Sequence, residues 1–340
     1  MYFRHIAFRV NTMIRKFGIR NFYCFKEGVE INFEFDGHVP DSIKKGKNVT
    51  SILGIKGANG SGKTNIIKAL NFLKIFCFDS ADSGLDSKIP FESFAKNTDS
   101  TEFYVDFEVL GRKYYYELEI TKETVLREEL YRKQSRKTLI LKRELNRVTS
   151  SIQELAEIET IRLRSNASII SLFKKYEFKT AMPDLQIVNL FFQGVITNVN
   201  NIGYADPNFN SYLLSKDYYE SSSLFDFVKD IIISADKGIK NIEIRENMNE
   251  KGEKIYYPIF SHEANGEIFF LTLSEESSGT QKLFEKLFRY RGALELGMLL
   301  AIDEFDIHLH AMLLPRILDL FLNDESNPKG AQFIFTAHNT

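Results

Sequence analysis

The sequence lacks the features that would tie a chain of 340 residues to a membrane, an oxidising compartment or a polyanion. No apolar run approaches the roughly 18 residues that a membrane helix needs, so we expect no membrane partner. The two cysteines, Cys24 and Cys77, are too few for a disulfide framework or a four-cysteine zinc site and are typical of a reducing cytoplasm. Because 44 Lys and Arg nearly balance 46 Asp and Glu, the net charge does not favour nucleic acid, and any binding to it would need a local cluster of basic residues.

The first third of the chain carries patterns typical of an α/β protein. Residues 17–35 are predicted to form two antiparallel strands, and residues 103–120 a hairpin that turns at Gly111. Between them, residues 51–55 form a short apolar strand, and the helical spacing of apolar residues in 63–76 predicts a helix. One strand, a glycine loop and a helix therefore follow each other directly.

The rest of the chain is divided by a charged segment. Residues 127–176 favour helix and contain no Gly or Pro, which predicts a helical insertion. Turn residues accumulate in 183–210 and give no clear prediction, whereas residues 281–296 predict a helix and 298–302 an apolar strand. With a hairpin that turns at Asn265-Gly266, the chain is predicted to divide into an N-terminal lobe (13–126), a mostly helical insertion (127–223) and a C-terminal lobe (224–340).

The strongest motif follows the strand at 51–55. It has the spacing of a P-loop and lies between a buried strand and a helix, as phosphate binding requires, so a plain glycine turn with a solvated lysine is a poor alternative. Its candidate nucleotide-binding residues are Gly57, Asn59, Gly60, Ser61, Gly62, Lys63, Thr64 and Asn65. Lys63 is predicted to meet the β- and γ-phosphates, and the Thr64 hydroxyl to bind Mg²⁺.

Two carboxylates follow the apolar strand at 298–302. Asp303 is predicted to hold Mg²⁺ and Glu304 to polarise the attacking water, a division of labour that needs adjacent acids directed to different places. Alone, two acids at a strand end would be ordinary solvated residues. The P-loop earlier in the chain favours the functional interpretation.

Two weaker elements complete the set. Ser277, Ser278 and Gly279 precede a predicted helix, where they form either an ordinary N-cap or, through Ser278 and Gly279, a second phosphate-binding surface. His338 ends an apolar strand that begins at Phe333, a position at which a lone histidine is usually structural or solvated.

The order of these motifs resembles the head of ABC-type ATPases in their SMC-like and OLD-like branch, and more closely the abortive-infection and anti-phage ATPases grouped as AAA-15 or AAA-21. The closer likeness lies in the opening segment 17–25, the loop 59–65, the signature 278–280 and the segments 303–306 and 309–310. It implies an α/β P-loop NTPase fold: an ABC-ATPase head with a mixed sheet, an antiparallel β-subdomain and a helical insertion.

The same resemblance implies roles for individual residues. Lys63 and Thr64 would bind phosphate and Mg²⁺, Asp303 would be the Walker B acid, Glu304 the catalytic base and His338 the γ-phosphate sensor. Ser278 and Gly279 would act in trans on ATP bound by a second copy of the chain. The signature is divergent, and the usual Q-loop glutamine is missing because no Gln precedes Gln134.

A basic cluster in residues 121–150 does not identify a binding partner. Residues 121–150 contain nine Lys or Arg against four Asp or Glu, which suits either nucleic acid or a solvated helical face. The leading hypothesis is a cytoplasmic, homo-oligomeric ATP hydrolase that controls a separate toxic effector in anti-phage defence. An SMC-like ATPase that clamps DNA and an ATP-gated scaffold with little turnover are the alternatives.

Overall fold

The computed structural model describes residues 11–205, 210–306 and 313–337. Within these ranges the chain forms fourteen strands: β1 (Thr12–Arg20), β2 (Val29–Asn32), β3 (Ile52–Lys56), β4 (Thr101–Val109), β5 (Arg112–Ile120), β6 (Val125–Lys133), β7 (Lys137–Glu144), β8 (Arg147–Ser151), β9 (Val195–Thr197), β10 (Ile239–Met248), β11 (Lys254–Ala264), β12 (Glu267–Thr272), β13 (Leu299–Ile302) and β14 (Gln332–Ala337). The same ranges contain nine α-helices: α1 (Asp41–Lys44), α2 (Lys63–Asp79), α3 (Ala156–Glu159), α4 (Ile169–Leu172), α5 (Pro183–Gln193), α6 (Ser211–Glu220), α7 (Ser222–Ala235), α8 (Ser278–Leu296) and α9 (Leu313–Leu322).

The strands form three sheets. A seven-stranded antiparallel sheet has the order β2-β1-β4-β5-β6-β7-β8, and a three-stranded antiparallel sheet has the order β10-β11-β12. The third sheet is parallel, with the order β3-β14-β13-β9. Because parallel strands all point the same way, their carboxyl ends lie at one edge, where ligands bind in open α/β sheets.

The parallel sheet lies between two hydrophobic cores. Leu299 and Ala301 of β13 belong to the core that contains α2 and the seven-stranded sheet. Leu300 and Ile302, the alternating residues, belong to the core that contains α7 and α8. A central parallel strand buried on both faces reads as a continuous apolar run, which explains why 298–302 shows no polar alternation.

Several predicted elements are confirmed. The pair β1–β2, the β4–β5 hairpin through Gly111 and the β11–β12 hairpin through Asn265-Gly266 all form antiparallel ladders. The α/β class with an antiparallel β-subdomain is confirmed as well. The lobe boundaries at 126/127 and 223/224 stay a prediction.

The helical prediction for residues 127–176 is wrong over its first half. Strands β6, β7 and β8 continue the antiparallel sheet through residue 151, and helices follow only as the short segments α3 and α4. The turn between β7 and β8 uses no glycine, because Leu145 itself adopts a positive φ of 51°. A search for Gly and Pro therefore finds no boundary here.

A buried ion pair hides the strand pattern in this segment. Glu128 of β6 and Arg143 of β7 have fully buried side chains, and Arg143 Nη1 lies 3.1 Å from a Glu128 carboxylate oxygen. Glu128 also accepts hydrogen bonds from the hydroxyls of Tyr116 and Ser168 and from the amide of Ile169. Two inward-facing positions thus carry charges, and the alternation of apolar and polar residues that marks a strand is lost.

The same network ties the sheet to the helices behind it. Arg143 donates to the carbonyl oxygens of Ala167 and Leu145, and Tyr116 contacts the buried Cys77 thiol of α2. Burial raises the pKa of the Cys77 thiol well above its usual range, so the thiol stays protonated. Both cysteines are free, and Cys77 is buried whereas Cys24 is exposed.

Two elements lie in the stretch 183–210, for which the turn residues allow no clear prediction. Helix α5 packs against α2, and the three-residue strand β9 pairs with β13 in parallel. Strand β9 completes the parallel sheet and places the segment after Thr197 at its carboxyl edge. None of the helices in the described ranges is both long and apolar enough to span a bilayer.

Arg143→Met should lower the free energy of unfolding by about 3–5 kcal/mol, because it leaves the Glu128 carboxylate buried without its countercharge. Urea unfolding followed by circular dichroism measures this change. Glu144→Ala is the matched control, since it removes a half-exposed partner of Lys142 on the same strand and should change stability by less than about 1 kcal/mol. Equal effects of the two substitutions would contradict a dominant role for the buried pair.

Candidate functional site

The phosphate-loop candidate lies between β3 and α2, as the sequence predicts. Gly62 caps the helix with a left-handed φ of 95°, and Gly60 has a φ of 81°. A Cβ atom at Gly62 would lie 2.5 Å from the Cys24 sulfur and 2.9 Å from the Phe25 ring. Only glycine satisfies both the backbone conformation and the close packing at Gly62.

The loop holds its own lysine. Lys63 Nζ donates hydrogen bonds to the carbonyl oxygens of Gly57 (2.7 Å) and Ala58 (3.1 Å). The residue is only 7% exposed. A positive charge is thus fixed inside a loop at the N-terminus of a 17-residue helix, where the helix dipole also favours an anion.

Thr64 and Asp303 meet across the site. The Thr64 hydroxyl donates to one carboxylate oxygen of Asp303 at 2.8 Å, although 239 residues separate them in sequence. Asp303 follows β13 and is 2% exposed. Its second carboxylate oxygen accepts a hydrogen bond from the Thr336 hydroxyl of β14 at 2.6 Å. Both oxygens of the carboxylate are therefore held.

Asn198 fixes the main chain of Asp303. Its side-chain oxygen accepts from the Asp303 amide at 2.7 Å, and its side-chain nitrogen donates to the Asp303 carbonyl at 2.9 Å. Asn198 directly follows β9. The carboxyl ends of β9, β13 and β14 are thereby joined around one buried carboxylate.

Glu304 has an unusual backbone. Its φ is 53°, in the left-handed region that non-glycine residues rarely adopt, and its amide donates to the Thr336 hydroxyl at 2.9 Å. The next amide, that of Phe305, donates to the Thr336 carbonyl at 3.0 Å. These two bonds hold the strained conformation, which costs of the order of 1–3 kcal/mol and is typical of functional sites.

A cleft of about 600 Å³ opens at this edge of the sheet. Its lining among the described residues consists of Asn59, Gly60, Ser61, Gly62, Lys63, Thr64, Asn65, Asp303 and Glu304. The structure therefore brings the predicted P-loop and both predicted acids together. Lys68, one turn further along α2, has a pKa lowered by burial, which the negative charge of Asp303 partly opposes.

The signature candidates lie elsewhere. Ser277 caps α8, and its hydroxyl accepts a hydrogen bond from the Thr280 amide at 3.2 Å. Ser278 and Gly279 are exposed and are not among the lining residues of the cleft. The N-cap interpretation is thus confirmed for Ser277, while a role of Ser278 and Gly279 in phosphate binding stays a prediction. The helix begins at Ser278 rather than at Gln281.

His338, and with it the segment 309–310, lies outside the described residues. The sequence does not predict two residues that hold the site, Thr336 and Asn198. Thr336 belongs to the apolar strand that the sequence places before His338, and a lone hydroxyl in such a run is its only signal. Asn198 lies in a stretch of turn residues that gives no pattern.

The oxygen donors present fit a nucleotide-bound magnesium ion. The Thr64 hydroxyl and the Asp303 carboxylate are hard oxygen ligands, which Mg²⁺ prefers, and Mg²⁺ in such sites takes few protein ligands together with phosphates. The described residues contain no group of three or more His, Cys, Asp or Glu side chains arranged to hold a metal without a nucleotide.

Comparisons with known proteins agree with this arrangement. The family model AAA_21, described as AAA domain, putative AbiEii toxin, Type IV TA system, matches residues 52–340, which include the loop, both acids and the signature segment. No curated protein matches the chain.

Solved structures similar to the chain include two heads of SMC proteins. One is the SmcHead bound to the C-winged helix domain of ScpA, at 15% identity and a TM-score of 0.42, with 96% of this chain and 89% of that chain covered. The other is the Smc head domain with an extended coiled coil bound to the C-terminal domain of ScpA, derived from Pyrococcus furiosus. Its identity is 12% and its TM-score 0.49, with 96% and 90% covered.

Thr336→Val should lower the free energy of unfolding by about 1–3 kcal/mol, because the Glu304 amide and one oxygen of the buried Asp303 carboxylate lose their partner. Thr336→Ser keeps the hydroxyl and is the matched control. Urea unfolding compares the two variants with the unmodified protein. If valine and serine reduce stability equally, the hydroxyl does not hold this edge of the sheet.

Proposed function

The chain belongs to the AAA_21 family, and from that premise we propose that it binds ATP with Mg²⁺ and hydrolyses it at a site shared by two copies of the chain. The proposal rests on one observation above all. A continuous set of hydrogen bonds joins Thr64 of the loop, Asp303, Thr336 and the Glu304 amide, so that the phosphate-binding and hydrolytic elements form one unit.

Nucleotide binding follows from the loop and helix α2. Backbone amides at a helix N-terminus and a fixed lysine ammonium both attract a triphosphate. Lys63 is held at Gly57 and Ala58 by neutral carbonyl oxygens, so its positive charge is not cancelled by a carboxylate there. The glycines let the backbone approach a phosphate closely, and Asn59, Ser61 and Asn65 line the same cleft.

Thr64 and Asp303 would hold Mg²⁺, which when bound would neutralise phosphate charge during transfer. Glu304 acts as the general base. Both acids line the cleft, but both carboxylate oxygens of Asp303 already accept hydrogen bonds, from Thr64 and Thr336. The Glu304 carboxylate orients a water molecule and accepts a proton from it.

A second copy of the chain completes the site. Ser278 and Gly279 are exposed at the N-terminus of α8 and do not line the cleft of their own chain. A helix N-terminus presents amides to an anion, and here that anion would be the γ-phosphate bound by the partner copy. ATP would then close two copies around two nucleotides, and hydrolysis would release them.

Glu304→Gln should reduce phosphate release at least about 100-fold, because general base catalysis typically contributes that much. The same variant should self-associate more strongly with ATP, since the nucleotide that joins the copies is not cleaved. Phosphate release and size-exclusion chromatography with light scattering, with and without MgATP, measure the two effects. Lys63→Ala is the reference variant and should lose both ATP binding and ATP-dependent association.

Each alternative outcome has a definite meaning. If the unmodified protein associates in an ATP-dependent manner but releases no phosphate, the hydrolase hypothesis is wrong and the ATP-gated scaffold is favoured. Rapid hydrolysis by a protein that remains monomeric at all ATP concentrations would contradict a shared site. Nucleotide binding that survives Lys63→Ala would contradict the assignment of the loop itself.

For the biological role, we propose a cytoplasmic sensor ATPase that controls a separate toxic effector during phage infection. The support is the resemblance of the motif set to abortive-infection ATPases, together with the toxin–antitoxin description that the family carries. ATP-driven closing and opening of two copies is a two-state change of the kind that can withhold or release a partner protein.

Expression of the chain with its neighbouring reading frames in a bacterial host should reduce phage plating, and Lys63→Ala should abolish that protection because nucleotide no longer closes the copies. Plaque counts on matched lawns measure the effect. Glu144→Ala, a substitution in a half-exposed ion pair far from the cleft residues in sequence, should protect as well as the unmodified chain. Equal plating with Lys63→Ala and the unmodified chain would contradict the defence role.

The DNA clamp gains no support from the basic cluster in 121–150. Seven of its nine Lys and Arg residues lie within 4 Å of a carboxylate, namely Lys122, Arg127, Arg132, Lys133, Lys137, Lys142 and Arg143. Their charges are largely compensated within the protein, and phosphate binding would have to displace these pairs. We therefore do not propose DNA as the partner of this segment.

A further inference from the structure

A buried carboxylate, that of Glu276, lies two residues before Ser278 of the signature. The side chain of Glu276 is 3% exposed, and one of its oxygens lies 2.6 Å from Nε2 of His262, whose side chain is 12% exposed. A buried carboxylate is costly unless it is hydrogen-bonded or paired. The contact with His262 therefore fixes the side chain of Glu276, just before the signature segment.

His262 is itself held by the three-stranded sheet. It lies in β11, between Ile239 of β10 and Phe269 of β12, and its ring stacks on Phe269 at 5.3 Å with an angle of 15° between the planes. A ring packed in this way has few alternative rotamers. The imidazole thus presents a fixed nitrogen to Glu276.

The main chain of Glu276 is fixed from the other side. Gln281, in the first turn of α8, donates its side-chain amide to the Glu276 carbonyl oxygen at 2.8 Å. Ser277 then caps the helix through Thr280. Between these attachments only Ser278 and Gly279 remain without a described side-chain bond and face solvent.

We propose that His262 and Glu276 are positioning residues that hold the signature segment in the conformation required by the nucleotide of a partner copy. The inference rests on the shared site proposed above. Amides that stabilise a phosphate have to be in place before the reaction, and a displacement of about 1 Å can cost about 100-fold in rate. A segment anchored to a sheet by a buried pair meets that requirement, whereas an exposed loop does not.

A mixing experiment tests the proposal in the full chain. Glu276→Ala and His262→Ala should each lower phosphate release by about 10- to 100-fold. Equal amounts of Glu276→Ala and Lys63→Ala should turn over ATP several times faster than Glu276→Ala alone, because each mixed dimer holds one complete site and Lys63→Ala leaves no uncleaved nucleotide that would lock its own copies together. In that site the intact cleft of one variant meets the intact signature of the other.

The control mixture is Ser278→Arg with Lys63→Ala, which should recover to the same extent. Recovery in the control but not with Glu276→Ala would overturn the positioning role and leave the shared site standing. Absence of recovery in both mixtures would overturn the shared site and the positioning role with it. A matched surface control is Glu263→Ala, which removes the exposed Lys240–Glu263 pair of the same sheet and should leave turnover unchanged.

Two further variants separate positioning from general damage to the fold. Glu276→Gln keeps an oxygen that accepts from His262, and it should retain at least about half of wild-type turnover, whereas a loss as large as that of alanine would contradict the role of the hydrogen bond. The double variant His262→Ala with Glu276→Ala should be no slower than either single variant, since the pair acts as a unit. If the double variant loses turnover by the product of the two single losses, the two residues do not act as a unit.

Discussion

The carboxylate of Asp303 is the point on which the candidate site depends. It is almost fully buried, so each of its oxygens needs a donor, and the donors come from different elements, Thr64 of α2 and Thr336 of β14. Asn198 adds two bonds from the end of β9 to the main chain of Asp303. A shift of α2 or β14 by one residue would remove a donor from the buried carboxylate, and a shift of β9 would remove the partner of the Asp303 main chain.

The parallel sheet makes this arrangement rigid. Strand β13 is packed on both faces, with Leu299 and Ala301 in one core and Leu300 and Ile302 in the other. Close packing on both sides resists small displacements of a strand. The strain in the Glu304 backbone is maintained at the end of this strand, where the surrounding contacts determine its conformation.

Local sequence patterns predict most of the elements that form the cleft. They do not predict elements whose structure depends on contacts between residues distant in sequence. The loop 57–64 and the strand before Asp303 follow from spacing and apolar runs. Strands β6 and β7 carry a pattern that favours helix because Glu128 and Arg143 are charged residues at buried positions, and sequence alone does not show that they pair with each other. Strand β9 has three residues, too few for any periodicity, and Asn198 acquires its role only through Asp303.

Two buried carboxylates, Asp303 at the cleft and Glu276 before the signature, bond to partners at very different distances in sequence. This difference bears on how the two segments can move. Asp303 bonds to Thr64 of α2 and to Thr336 of β14, so the cleft forms only when these elements are in place, and a nucleotide bound there, as we propose, would stabilise them together. Glu276 bonds across only 14 residues to His262 and involves a single sheet. In the proposed shared site, the signature segment can therefore keep its conformation while the residues around the cleft adjust to the nucleotide.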